Sequence, residues 1–97
     1  MTRQEHLLTI LIEECNETAQ RATKAVRFGL EEIQPGQAQT NAERIVYEFN
    51  DIVAVIELLH SEEALPKIFD TEAVGLKKIK IEKYLAYSAQ CGTIDKP

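Results

Sequence analysis

No apolar run in this chain is long enough to cross a bilayer. After Met1-Thr2-Arg3-Gln4-Glu5-His6 the first apolar stretch soon meets Glu13 and Glu14, so neither a membrane span nor a signal peptide is expected. Cysteine is scarce: Cys15 and Cys91 lie far apart and form no CxxC pair. A disulfide framework is therefore excluded and a reducing cytoplasm is the expected setting. A basic stripe is also missing. A net charge of -5 argues against a nucleic-acid binder, which must neutralise phosphates. A small anionic ligand stays open, because a bound metal ion reverses the local sign of an acidic site. Neither GxxxxGK[ST] nor GxGxxG occurs, so phosphate binding would have to come through metal and side chains rather than a glycine-rich loop. There is no strand-period run, no internal repeat and no low-complexity tract.

The 97 residues, with 44% apolar and 28% charged side chains, suit a single globular domain over 1–97. A chain this short buries only a modest share of its apolar surface, so association into a homodimer or homotetramer is expected. The periodicity predicts three helices. In the first, from about Arg3 to Phe28, Leu8, Leu11, Cys15, Ala19, Ala22 and Val26 recur at three- and four-residue steps, and Gly29 is a plausible stop. Cys15 on that stripe is expected to be a buried thiol. Glu31 to Gln39, with Pro35-Gly36, reads as a turn or loop. Thr40-Asn41-Ala42-Glu43 matches a capping box and opens a second helix to about His60, with Ile45, Phe49, Ile52, Ile56 and Leu59 as its stripe. Leu65-Pro66 interrupts the pattern. A third helix begins after Asp70 or Thr71 and continues to about Ala89, with Val74, Ile81, Leu85 and Ala86 on one side and lysines on the other. The fold class is all-α: a small helical bundle with two antiparallel motif-bearing helices and a third helix, completed by oligomerisation.

Two acidic pairs stand out. Glu14 and Glu17 form an ExxE within Glu13-Glu14-Cys15-Asn16-Glu17, and Glu48 and Asp51 an ExxD within Glu48-Phe49-Asn50-Asp51. Residues three apart on a helix share a face, and each pair borders its helix's apolar stripe. Antiparallel packing through those stripes would bring all four carboxylates together at the edge of the core. Close carboxylates repel, and a hard cation relieves the repulsion. The lack of histidine in the motifs favours Mg²⁺ or Mn²⁺ over zinc. One such pair in a charged helix is ordinarily a solvated face; two pairs on consecutive helices weigh against that reading. Glu57-Leu58-Leu59-His60 has the ExxH spacing of di-iron bundles. Glu57 nevertheless falls about half a turn around the helix from Glu48, and His60 reads as a core or helix-end residue.

At these residues the chain resembles the MazG-like all-α nucleoside triphosphate pyrophosphohydrolases, whose signature is EExxE followed after a loop by ExxD. The resemblance covers roughly residues 7 to 60. The interval of 30 residues between Glu17 and Glu48 is longer than in many members, which bears on the loop more than on the chemistry. Gln20 to Gly29, with Gln34-Pro35-Gly36-Gln37 and Thr40-Asn41, is also similar to small phage-type members of the MazZ kind, which act on (d)GTP; a phage origin would put the chain in the host cytoplasm. The resemblance implies conversion of an NTP or dNTP to the monophosphate and pyrophosphate. Glu14, Glu17, Glu48 and Asp51 would be metal ligands, and Glu13 or Glu17 would orient or deprotonate the attacking water. Lys24, two turns beyond Glu17 on nearly the same face, is the preferred phosphate contact, with Arg27 next and Arg21 weaker. Lys77, Lys80, Lys83 and Tyr84 of the third helix are further candidates to touch the nucleotide, within the chain or from a neighbouring subunit. The competing reading is a non-catalytic helical interaction or regulatory protein whose acids serve solubility or a basic partner.

Overall fold

A computed structural model of the chain describes residues 1–95. It contains three helices, α1 (Arg3–Phe28), α2 (Asn41–Ser61) and α3 (Thr71–Cys91), and no strand among the described residues. Local chemistry explains the boundaries. Thr2 caps α1 by accepting from the Glu5 N–H at 3.1 Å. The helix stops at Gly29, which takes φ +100° and donates its N–H to Ala25 O at 2.8 Å. The capping box at Thr40 and Glu43 forms in both directions. Asp70 caps α3 through the Ala73 N–H at 3.0 Å.

The end of α2 is a Schellman turn. Glu63 N–H donates to His60 O and Ala64 N–H to Leu59 O, at 3.0 and 2.9 Å. The residue at the left-handed position is Glu63, φ +62°, where glycine is the usual occupant.

α1 and α2 pack against each other, and they run antiparallel. Arg3 at the start of α1 pairs with Glu62 beyond the end of α2, while Asn41 at the start of α2 bonds Gly29 beyond the end of α1. The covered positions alternate in steps of three and four on both helices: Leu7, Leu11, Glu14, Thr18, Arg21 and Ala25 on α1, and Asn41, Ile45, Glu48, Ile52, Val55 and Leu59 on α2. That alternation keeps one face of each helix on the shared seam. Its apolar part sits at one end, where Leu7, Val55 and Leu59 are buried and Ile10, Leu11 and Leu65 pack onto them.

The expected stripe on α1 needs correction. Of its residues only Leu11 faces the partner; Leu8, Cys15, Ala19, Ala22 and Val26 are exposed, Val26 by 88%. Following apolar identity alone traces a line rotated off the true seam, because Glu14, Thr18 and Arg21 occupy seam positions. The thiol of Cys15 is exposed and free, so the expectation of a buried cysteine fails for the same reason. On α2 the stripe holds apart from Phe49, which is half exposed.

α3 packs against neither α1 nor α2 and contains no buried residue. The radius of gyration, 16.8 Å, accordingly exceeds the value of about 13 Å typical of a compact 100-residue domain. No helix among the described residues is long and apolar enough to cross a membrane.

Candidate metal centre

The polar stretch of the α1–α2 seam is where the acidic motifs meet. Glu14 and Glu17 from α1 and Glu48 from α2 each offer a carboxylate oxygen within 4.8 Å of the other two. Asp51 is exposed and stands outside that triplet, yet its charge acts on both Glu14 and Glu48. Glu13 is exposed and does not join the three.

Antiparallel packing creates the cluster by setting an ExxE on one strand of the seam against an ExxD on the other. Burial costs the charged form of a carboxylate, and neighbouring like charges cost it more. Glu14 accordingly has its pKa raised, first by burial and then by Glu17, Asp51 and Glu48. Glu48 is raised by burial, by a hydrogen bond shared with Glu17 and by the charges of Glu17 and Asp51; Arg21 opposes the shift. One oxygen of each, Oε2 of Glu14 and Oε2 of Glu48, is buried without a hydrogen-bond partner. So is one terminal nitrogen of Arg21.

Acceptors without donors and a donor without an acceptor thus occupy one short length of seam. Leaving such groups unpaired costs roughly 1–3 kcal/mol each. A divalent cation on the carboxylates together with an anionic oxygen on Arg21 would satisfy all of them, and an oxygen-only donor set suits a hard cation. The residues present therefore fit Mg²⁺ or Mn²⁺.

The remaining sequence candidates fall elsewhere. Lys24 and Arg27 both lie over the Phe28 ring, with Lys24 Nζ 5.9 Å and the Arg27 guanidinium 4.8 Å from its centroid. Lys24 also lines a cavity of about 290 Å³ with Phe28, Glu32, Gln34 and Pro35. Lys80 and Tyr84 share a groove on α3 with Lys77, while Lys83 is exposed outside it. Because α3 leaves the helix pair uncovered, a single chain does not bring these residues to the carboxylates. His60 Nδ1 lies 2.9 Å from Leu65 O, the helix-end role rather than a ligand's.

Arg21 and Asn41, which the apolar stripes leave out, both lie on the seam itself. Asn41 is fully buried, and its Nδ2 donates to Gly29 O and to Glu32 Oε1, both at 2.9 Å. The signal for both was their place in the three-four alternation, legible once polar residues are admitted to a seam. No protein-family model, no curated protein and no solved structure matches this chain.

Proposed function

We propose that the protein is a Mg²⁺-dependent nucleoside triphosphate pyrophosphohydrolase, converting an NTP or dNTP to the monophosphate and pyrophosphate, with Mn²⁺ as a possible substitute metal and the MazZ-like likeness favouring (d)GTP. The observation that carries the reading is the coincidence, in one seam, of three convergent carboxylates, two of them with a buried unpaired oxygen, and a guanidinium with a buried unpaired N–H. The match of Glu13-Glu14-Cys15-Asn16-Glu17 and Glu48-Phe49-Asn50-Asp51 to the MazG-like signature supports it.

Glu14, Glu17 and Glu48, with Asp51 at the rim, would hold the metal. Bound there, it would supply neutralisation of phosphate charge and a lower pKa for the attacking water. Arg21 binds a phosphate oxygen and holds it beside the carboxylates. Glu13 or Glu17 takes the proton of the attacking water. The water oxygen bonds to phosphorus, the bridging P–O bond breaks, and pyrophosphate leaves with the electron pair.

A second copy of the chain completes the fold in this reading. Three buried apolar side chains among the described residues are a small core for a chain of this length. α3 carries Lys77, Lys78, Lys80 and Lys83 against Glu72 and Glu82, whereas α2 carries Glu43, Glu48, Asp51 and Glu57 against Arg44. Phe49, Ile52, Val53 and Ile56 of α2, with Ile68 and Phe69 of the linker and Val74 of α3, line an apolar groove of about 300 Å³. A basic, half-apolar α3 from a partner suits that acidic, apolar face, and would carry Lys80, Lys83 and Tyr84 toward the nucleotide. A homodimer or homotetramer follows. The same uncovered helix is what favours the rival reading, an interaction or regulatory protein without catalysis.

The purified chain with Mg²⁺ is expected to release pyrophosphate from at least one NTP or dNTP, and Glu48→Gln to abolish the release. Silence across all bases and both metals, or undiminished release by Glu48→Gln, overturns the enzyme in favour of the interaction protein.

A further inference from the structure

We propose that α3 pairs with the α3 of a second copy, antiparallel about a twofold axis, through a self-complementary stripe of Glu72, Leu76, Ile79 and Lys83. The pairing goes beyond the catalytic reading and stands with or without it.

α3 has two apolar sides. At about 100° per residue, Val74, Ile81 and Leu85 fall on one side, and Val74 there lines the groove with Phe49, Ile52 and Ile56 of α2. Leu76 and Ile79 fall on roughly the opposite side, and they are 62% and 67% exposed. No residue of α3 is buried, whereas a helix apolar on opposite sides is ordinarily covered on both. The α2 face can cover one of them. The Leu76 side needs an occupant of its own.

The stripe itself identifies that occupant. Glu72, Leu76, Ile79 and Lys83 are separated by steps of four, three and four, the spacing of one face of a paired helix. The steps read the same in both directions, with opposite charges at the two ends. Set antiparallel against a copy of itself, about an axis midway between Leu76 and Ile79, the stripe brings Leu76 against the partner's Ile79. Glu72 then meets the partner's Lys83. Every contact occurs twice, as a twofold interface requires, and the apolar contacts are closed at each end by an ion pair. A parallel pair would instead set each Glu72 beside the partner's Glu72 and each Lys83 beside the partner's Lys83, and like charges repel. Lys77 and Lys78, nearest the axis, lie about a third of a turn round the helix from the stripe, so they do not oppose their own copies.

Gly75 adds an independent sign. Glycine inside a helix weakens it, and nothing in the chain comes within 4 Å of where its Cβ would stand. It borders the stripe, where the missing side chain lets a second helix approach closely. Lys83 in this pairing serves the interface, and of the α3 candidates Lys80 and Tyr84 remain for a nucleotide.

Sedimentation equilibrium of the full-length protein tests the pairing by charge exchange. Glu72→Lys and Lys83→Glu each put like-charge pairs in place of ion pairs, and each is expected to raise the dissociation constant about tenfold or more. The double variant Glu72→Lys/Lys83→Glu exchanges the ends and keeps them complementary, so it should associate within about threefold of wild type. An equimolar mixture of the two single variants should recover association as well, since each chain then meets the opposite charge. Recovery in the mixture also excludes misfolding of either variant. Single variants that associate as tightly as wild type overturn the pairing, as does a double variant or a mixture no tighter than the singles. A wild-type chain that stays monomeric at near-millimolar concentration overturns it too, and leaves the Leu76 side to a different macromolecule.

Discussion

Replacing Asn41 by aspartate changes one NH₂ to oxygen and almost nothing in volume, and it should unfasten the loop. Asn41 is 0% exposed and donates from Nδ2 to Gly29 O and Glu32 Oε1, while its Oδ1 has no partner. Truncation to alanine removes one neutral hydrogen bond, about 1 kcal/mol, and one to a carboxylate, about 1.5–3 kcal/mol, and recovers roughly 1 kcal/mol by deleting the unpaired Oδ1. The net loss is about 2 kcal/mol. Asn41→Asp forfeits both donors and sets a carboxylate against a carboxylate and a carbonyl. An uncompensated buried charge costs about 3–5 kcal/mol, and the favourable helix N-terminus returns less than about 1 kcal/mol. Aspartate should therefore be worse than alanine at neutral pH. It should also respond to acid. Its folded-state pKa is raised, so the deficit is small at the unfolded value of about 3.9 and grows as pH rises through the folded value. Urea unfolding at fixed protein concentration, from pH 4 to 7.5, reads both effects. An Asn41→Asp protein within about 1 kcal/mol of wild type at pH 7, or a deficit that does not shrink on acidification, refutes the assigned hydrogen bonds.

Further expectations concern the site and the helix ends. Glu14 and Glu48 both titrate above the ordinary carboxylate value of 4.5, so the metal-free chain should lose stability as pH rises from that value through the raised ones. Thermal melts in chelator should show this slope, Mg²⁺ should flatten it, and a melting temperature independent of pH would contradict the cluster. Glu63→Gly removes the left-handed strain at the end of α2 and should stabilise by roughly 0.5–1 kcal/mol; a loss in calorimetry would show that the Glu63 side chain does more than cap. Arg21→Ala should weaken tripolyphosphate inhibition by tenfold or more, whereas Lys24→Ala should weaken it less; the reverse order would return the phosphate role to Lys24.

How much of this was legible in advance depended on the kind of signal. Helix ends were, because Thr40 with Glu43, Gly29 and Asp70 act within one turn and need no tertiary context. The convergence of Glu14, Glu17 and Glu48 was legible too, since helical spacing and antiparallel packing suffice to place them. The burial of individual side chains was not. A stripe drawn through apolar letters assumes that apolar residues own the seam, and here Glu14, Thr18 and Arg21 do. The pinning of the Gly29–Gln34 loop by Asn41 and Arg44 joins residues nine to twelve apart through side-chain geometry that has no period to read. Nor does any pattern within α3 reveal that it stands clear of the helix pair.

Polar residues inside a two-helix seam also decide where the helices can meet. Leu7 and Leu59 share the apolar end, and Glu14 and Glu48 the polar middle. Slide α1 by one heptad toward the end of α2 and Glu14 would come level with Val55, stranding a carboxylate among apolar groups without cation or neighbour. Such a mismatch is strongly disfavoured, whereas an all-leucine seam would tolerate the slip. The carboxylates thus act as an alignment key, admitting one antiparallel register and rejecting its neighbours before any ligand is bound.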